Sequence, residues 1–235
     1  MTIFQLSKEI IFPNPELAEP EGLLAVGGDL TIDRLLLAYS MGIFPWYSDG
    51  QPILWWSPDP RLIILPNQLH ISKSLKRVIK NGKFEIRYDT RFAQVIERCG
   101  EVYRRDQDGT WITREMQEAY IQLHQAGFAH SVESFLNDEL VGGLYGVSIG
   151  KAFFGESMFS LKTDASKVAL VSLASQLEKW NFEMIDCQIP TDHLKRLGAF
   201  EIDRPPFLSK LNGLITEQSQ IGNWGEMRAL DSSTA

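Results

Sequence analysis

Residues 129–159 read AHSVESFLNDELVGGLYGVSIGKAFFGESMF. Apolar and aromatic residues are concentrated in three segments of this stretch, at 129–136, 139–149 and 151–159. Asn137 and Asp138 separate the first two segments, and Gly150 separates the last two. Residues of these types favour the tight turns that join antiparallel strands. The stretch therefore predicts a three-stranded antiparallel meander.

The segments around the meander have the patterns of helices and strands. Helices are predicted at 165–180 and at 113–126, the second with Thr113 as its N-cap and Gly127 as its end. Strands are predicted at 84–90, 182–189 and 200–202, with a short helix at 193–197. This order predicts an α+β fold with a mixed, mainly antiparallel sheet.

The first sixty residues are rich in turn-forming glycine and proline. One helix is predicted there, beginning after Thr31 and ending at Gly42. The segment WSPDPR at 56–61 is typical of a boundary. We therefore expect a small N-terminal domain at 1–60 and a larger domain at 61–235.

The composition is that of a globular chain, with 44% apolar residues in 235. No apolar run reaches the roughly 18 residues that a membrane span needs, and acidic residues and prolines interrupt the N-terminus. We therefore expect a cytoplasmic protein with no membrane partner. The two cysteines, Cys99 and Cys187, are too few for a disulfide scaffold, and no histidine or cysteine spacing predicts a metal site.

Residues 70–83 form a cationic segment in a chain with a net charge of -7. On a helix over 70–80, the apolar Ile71, Leu75 and Val78 face one side. The other side carries lysines and arginines, which continue past the helix: Lys73, Lys76, Arg77, Lys80 and Lys83. Arg87, Arg104 and Arg105 extend the patch in sequence. The patch fits either phosphate binding or a solvated helix surface.

Polar side chains in two predicted strands suggest a site. Because side chains two apart in a strand share a face, Asp186 and Gln188 are expected on one side and Cys187 on the other. Glu156 lies in the third strand of the meander. These groups form either a bracing polar network or a cluster that binds an amine.

Other catalytic patterns are missing from the sequence. It contains no GxSxG segment, no P-loop and no GxGxxG. The sequence is therefore not typical of a serine hydrolase or an ATP-driven ligase. Trp46 and Trp111 fit core packing in general, but either can stack on a base if it is exposed.

Eleven short motifs occur in order between residues 22 and 202: GLLAVGGDL, AYSMGIFPWY, PILWWSPDPR, HISKSLKR, WIT, AHSVE, LVGGLYGV, FFGESMFS, ASKVAL, IDCQ and HLKRLGAFEI. Together they resemble the bacterial leucyl/phenylalanyl-tRNA–protein transferase family. The resemblance implies a GNAT-like N-acyltransferase domain. It also implies transfer of Leu, Phe or, less well, Met from aminoacyl-tRNA to proteins with N-terminal Arg or Lys, which marks them for N-end rule degradation. No cofactor is implied, because the aminoacyl ester is already activated.

The resemblance also assigns roles to residues. Asp186 and Gln188 match the family's catalytic pair, and Glu156 matches a further active-site acid. Trp46 and Trp111 match tryptophans near the terminal adenosine and the aminoacyl group. The tRNA-binding cluster corresponds to the cations of residues 73–83.

From the chemistry we add three expectations. Leu144, Phe153 and Met158 are candidates for the pocket that binds the donor side chain. Asp186 is expected to hold Gln188 and the incoming amine, and with Glu156 to attract a cationic acceptor. We also expect a monomer. A transferase that acts on cell-wall precursors and a non-catalytic RNA-binding module remain as alternatives.

Overall fold

The computed structural model describes residues 3–101 and 111–233. Its strands are β1 (Phe4–Leu6), β2 (Leu23–Gly27), β3 (Phe44–Pro45), β4 (Leu54–Trp56), β5 (Arg61–Ile64), β6 (Glu85–Tyr88), β7 (Ala129–Leu136), β8 (Glu139–Ile149), β9 (Ala152–Ser160), β10 (Met184–Gln188) and β11 (Phe200–Ile202). Its α-helices are α1 (Ile32–Ser40), α2 (Lys73–Lys80), α3 (Phe92–Glu101), α4 (Arg114–Gln125), α5 (Ala165–Lys179), α6 (Asp192–Lys195), α7 (Arg204–Leu214) and α8 (Trp224–Ser233). None of the helices in these two ranges combines the length and the apolar character of a membrane span.

The strands form two sheets. The smaller sheet has four strands in the order β1-β2-β4-β3, and the larger has seven in the order β11-β5-β10-β9-β8-β7-β6. Within the larger sheet β9 and β10 are parallel, because α5 crosses between them, and the other pairs are antiparallel. The predicted α+β class with a mixed, mainly antiparallel sheet is confirmed, and the GNAT-like assignment stays a prediction.

The meander predicted at 129–159 is confirmed as β7, β8 and β9. Asn137 and Asp138 both have positive φ, 51° and 61°, which is the backbone that a two-residue hairpin turn requires. At the second turn, Gly150 has φ 57°, and a Cβ there would lie 2.0 Å from the Leu214 carbonyl oxygen. Only glycine fits at this position, because the backbone of another segment passes so close.

The helices are confirmed in part. The helix predicted over 70–80 begins only at Lys73, because the Ser72 side chain accepts the Leu75 N–H at 3.2 Å and so caps it there. The sequence did not predict α3, α7 or α8. Trp224 begins α8 and is buried, with its ring stacked on His130 at 3.8 Å between centroids. Such long-range packing has no local sequence signal.

The change from the small sheet to the large one falls between Trp56 and Arg61. The apolar core is nevertheless continuous across this point. Tyr39 of α1, for example, packs on Phe154 of β9 at 5.0 Å between ring centroids. The division into domains at 60/61 stays a prediction.

The end of β10 departs from regular strand geometry. Asp186 pairs with Ile63 and Gln188 pairs with Leu62, so Cys187 is an extra residue in a β-bulge. Gln188 has φ 57°, and Ile189 N–H donates to the Cys187 carbonyl at 2.7 Å. The bulge determines where the polar side chains of this strand point.

Candidate active site

A recess of about 460 Å³ lies between the meander, α5, the end of β10 and the segment around Trp46. Its lining is mostly apolar and aromatic. It includes every residue predicted for substrate binding, namely Trp46, Trp111, Leu144, Phe153 and Met158. Trp46 and Trp111 are partly exposed. Apolar recesses of this size are suited to small ligands or to one large side chain.

Two polar side chains meet in the wall of the recess. Gln188 Nε2 donates to Glu156 Oε1 at 3.1 Å, and both residues line the cavity. The structure therefore brings two of the three predicted catalytic residues together. The Gln188 amide nitrogen donates to Glu156, so the side-chain carbonyl oxygen of Gln188 is the atom that can accept a hydrogen bond from a ligand.

Glu156 also has two tyrosine partners that the sequence analysis missed. The Tyr39 hydroxyl lies 2.8 Å from Oε1, the Tyr120 hydroxyl lies 3.2 Å from Oε2, and the two hydroxyls lie within hydrogen-bond distance of each other. Because each hydroxyl has a single proton, the three hydrogen bonds form together only when Glu156 is neutral and donates one of them. Both tyrosines are fully buried. The only local signal was two tyrosines on apolar helix faces, which is also the pattern of ordinary core residues.

Burial raises the pKa of Glu156 to about 8, although the hydroxyls of Tyr39 and Tyr120 oppose the rise. The charge of Asp186 adds to it. At pH 7 Glu156 is therefore largely protonated. The expectation that Glu156 attracts a cationic acceptor stays a prediction. A cation that binds beside Glu156 would favour the carboxylate.

Asp186 lies behind the recess and does not line it. Its side chain is completely buried, and Arg61 contacts both oxygens, Nε to Oδ1 at 2.8 Å and Nη2 to Oδ2 at 2.6 Å. Oδ1 also accepts the Gln188 N–H at 2.9 Å. Asp186 therefore holds Gln188, as expected. It does not face an incoming amine, because Arg61 already occupies its carboxylate; its part in the reaction stays a prediction.

The expectation that Cys187 points away from Gln188 is wrong. Both residues line the recess, because the bulge breaks the alternation of side chains. Burial raises the pKa of the Cys187 thiol far above its ordinary value, and the neighbouring Asp186 adds to the rise. The thiol is therefore protonated and a poor nucleophile.

The cations of residues 73–83 are all exposed, as a nucleic-acid contact requires. Across 3–101 and 111–233, no acidic side chain forms an ion pair with Lys73, Lys76, Arg77, Lys80 or Lys83. Arg87 does not extend the patch as a free cation, because Glu85 and Asp138 both pair with it. Arg104 and Arg105 lie outside the described residues.

Helix α5 connects this patch to the recess. Its residues Val168 and Val171 pack in the same apolar cluster as Leu75 of α2. Its residues Leu170 and Leu173 line the recess. The basic helix and the recess therefore lie on different sides of one helix.

Comparison with known proteins gives a consistent result. The family model described as leucyl/phenylalanyl-tRNA protein transferase matches residues 63–212, and the model of that family's N-terminal domain matches 28–59. A relative from Myxococcus xanthus is 54% identical over 233 residues, which covers 98% of this chain and 100% of the relative. One from Solidesulfovibrio magneticus is 56% identical over 224 residues, covering 95% and 91%. Both carry the name leucyl/phenylalanyl-tRNA–protein transferase.

The fold, the recess and these matches together define an aminoacyltransferase. In particular, the chain belongs to the leucyl/phenylalanyl-tRNA–protein transferase family. The resemblance based on the eleven motifs is thereby confirmed. Within the described residues there is no group of three His, Cys, Asp or Glu side chains arranged to hold a metal ion.

The raised pKa of Glu156 predicts a pH effect on stability. In the unfolded chain a glutamate titrates near 4.5, whereas Glu156 in the folded protein titrates at about 8. The folded state then binds more protons between these values, so this contribution to the free energy of unfolding is full at low pH and is lost as the pH rises through 8. Relative to Glu156→Gln, wild-type stability should fall between pH 5.5 and 8.5, by up to about 1.4 kcal/mol per pH unit.

Urea denaturation at several pH values measures this difference. Glu133, whose pKa is raised to about 7 mainly by burial, is present in both proteins, so its effect cancels. Glu97→Gln, at an exposed position on α3, is the matched control and should leave the wild-type pH profile unchanged. Parallel profiles for wild type and Glu156→Gln would contradict a raised pKa at Glu156.

Proposed function

We propose that this enzyme transfers Leu, Phe and, less well, Met from aminoacyl-tRNA to the α-amino group of proteins that begin with Arg or Lys, and so marks them for N-end rule degradation in the cytoplasm. The observation that carries the proposal is the arrangement around α5. An apolar recess with the Gln188–Glu156 pair lies on one side, and an exposed cationic helix lies on the other. An aminoacyl-tRNA has an apolar side chain and a polyanionic body that match these two surfaces.

The donor side chain occupies the recess. Leu144, Phe153 and Met158 supply apolar surface, and methionine adapts to both the branched and the aromatic shape. Trp46 and Trp111 offer partly exposed rings on which the terminal adenine can stack. Shape alone rejects β-branched Ile and Val by only about 1–3 kcal/mol, so selectivity for the donor should be moderate.

The reaction needs a neutral amine in the right place. The acceptor nitrogen attacks the ester carbonyl, an amide bond forms, and the bond to the ribose oxygen breaks; the amine gives up a proton and the ribose hydroxyl leaves. The carbonyl oxygen of Gln188 can accept a hydrogen bond from the amine and so orient it. Glutamine is too weak a base to remove the proton, but an α-amine with a pKa of about 7.7–8.0 is already partly neutral.

Positioning therefore accounts for most of the rate. Holding two reactants in a reactive geometry can lower a barrier by about 7–11 kcal/mol, whereas one general base supplies about 10²- to 10⁴-fold. Asp186 contributes by holding the Gln188 backbone at 2.9 Å rather than by touching the substrate. Glu156 is the residue in the recess wall that can become an anion for the acceptor's Arg or Lys.

The cations of residues 73–83 bind the tRNA through its phosphates. Such contacts give affinity without sequence readout and weaken with salt. The enzyme acts as a monomer in this proposal. The proposal needs neither a nucleotide cofactor nor a membrane.

The direct test uses purified enzyme, radiolabelled Leu-tRNA or Phe-tRNA, and a peptide that begins with Arg, without ATP. We expect label to move into the peptide. A peptide that begins with Lys should also be labelled. The same peptide with an acetylated N-terminus is the control and should stay unlabelled, because its nitrogen is not nucleophilic.

Two results would contradict the proposal. Tight tRNA binding with no transfer to any acceptor would indicate an RNA-binding module. Transfer to a cell-wall precursor but not to the peptide would indicate the other class of transferase.

The role of α2 predicts a change in the salt dependence of binding. Replacing Lys76 and Arg77 by Gln removes two phosphate contacts, so log K against log[salt] should become less steep by about 1–2 units, and affinity at low salt should fall. Filter binding of aminoacyl-tRNA at several salt concentrations measures both quantities. Lys8→Gln with Lys162→Gln removes the same charge at exposed positions outside α2 and should leave the slope unchanged. Equal slopes for the two double variants would refute binding through α2.

A further inference from the structure

Arg61 has more partners than Asp186 alone. Besides its two bonds to Asp186, Arg61 donates from Nη1 to the Gly42 carbonyl at 3.0 Å. Its guanidinium also lies 4.9 Å from the ring centroid of Phe44 and 4.7 Å from that of Phe207. Hydrogen bonds at all three nitrogens therefore fix the guanidinium. Two aromatic rings also contact it, one from β3 and one from α7.

The other end of this network is a strained turn. Ile189 N–H donates to the Cys187 carbonyl across a γ-turn whose central residue, Gln188, has φ 57°. A non-glycine residue with this backbone is strained and persists only where the surroundings impose it. Asp186 Oδ1 imposes it by accepting the Gln188 N–H at 2.9 Å, which closes a side-chain turn over the same residues.

The direction of the Gln188 side chain follows from this turn. Regular strand geometry would place Asp186 and Gln188 on one face, but the turn brings Gln188 into the recess while Asp186 stays behind it. Asp186 can hold the turn only as long as its own carboxylate is fixed. Arg61 fixes both oxygens of that carboxylate.

We propose that Arg61 is a positioning residue for aminoacyl transfer: through Asp186 it imposes the γ-turn that directs the Gln188 amide at the acceptor amine. The proposal rests on the proposed function, since it assumes that Gln188 orients that amine. Arg61 itself does not line the recess, and it is 0% exposed.

Lysine cannot replace arginine in this arrangement. A single ammonium lacks the planar fork that engages both carboxylate oxygens and the Gly42 carbonyl together. It also lacks the planar group that contacts the rings of Phe44 and Phe207. In Arg61→Lys the charge remains, so Asp186 is not left as an unpaired buried anion. The turn at Gln188, however, loses its rigid support.

The experiment measures Leu transfer to an Arg-initiated peptide by Arg61→Lys. We expect kcat to fall at least about tenfold, while the KM for Leu-tRNA stays within about twofold, because the recess lining and α2 are unchanged. A kcat near the wild-type value, or a loss expressed only in the KM for Leu-tRNA, would overturn the proposal. If the wild-type enzyme itself transfers nothing, the proposed function fails instead, and the two failures are thereby distinguished.

Arg34→Lys is the matched control. Arg34 is also 0% exposed, pairs with Asp29 at 3.2 Å and donates to backbone carbonyls at Ser7 and Glu9, but it does not contact the recess. Its replacement should reduce stability without the loss in kcat, at a temperature where both variants are folded. An equal loss of kcat in both variants would show a general effect of disturbing a buried arginine and would overturn the proposal.

A second comparison separates positioning from mere structural support. If Arg61 acts through Gln188, then Arg61→Lys in a Gln188→Ala background should change the single-turnover rate by less than about twofold. A further tenfold loss in that background would show that Arg61 acts by another route.

If Arg61→Lys does not fold, Phe207→Leu replaces it in the test. This change removes one of the two aromatic rings that contact the Arg61 guanidinium, and it keeps the ion pair with Asp186. We expect kcat to fall by about threefold or more with the KM for Leu-tRNA unchanged, as for a weakened positioning contact. A wild-type kcat in Phe207→Leu would then overturn the proposal.

Discussion

The buried ion pair between Arg61 and Asp186 is the constraint on which the candidate site depends. Two charges removed from water are strongly destabilising unless each is fully paired, and here a bidentate contact at 2.8 and 2.6 Å meets that condition. The pair joins β5 to β10 next to the bulge in β10. Arg61 also reaches Gly42 and the ring of Phe207, so segments distant in sequence are held together behind one wall of the recess.

The protein has surfaces of different polarity for the different parts of its substrates. The recess is apolar and suited to a hydrophobic side chain, while the Gln188–Glu156 pair supplies the polar groups at which an amine can be oriented. The cationic helix α2 faces solvent on another side of α5. A chain with a net charge of -7 can therefore still bind a polyanion, because the local field of five exposed cations matters more at that surface than the total charge.

Local signals predicted much of the fold and the lining of the recess. The Asn137–Asp138 turn was predictable because both residue types tolerate positive φ. The environment of Asp186 was not predictable, because its partner Arg61 lies 125 positions away in the sequence. Arg61 entered the sequence analysis only as the last residue of WSPDPR, the segment that predicts a domain boundary. Strand alternation failed at Cys187 for a similar reason. The bulge arises from the pairing of β10 with β5, and the sequence of either strand alone does not predict it.

The most direct test of the account is a structure of the enzyme with a non-hydrolysable analogue in which Phe or Leu is joined to adenosine through an amide. We predict that the amino-acid side chain lies among Leu144, Phe153 and Met158, with the Gln188 carbonyl oxygen facing the reacting centre. Asp186 should remain on Arg61, as it is in the free protein. An Asp186 carboxylate that has left Arg61 to contact the analogue, or an aminoacyl group bound outside the recess, would contradict it.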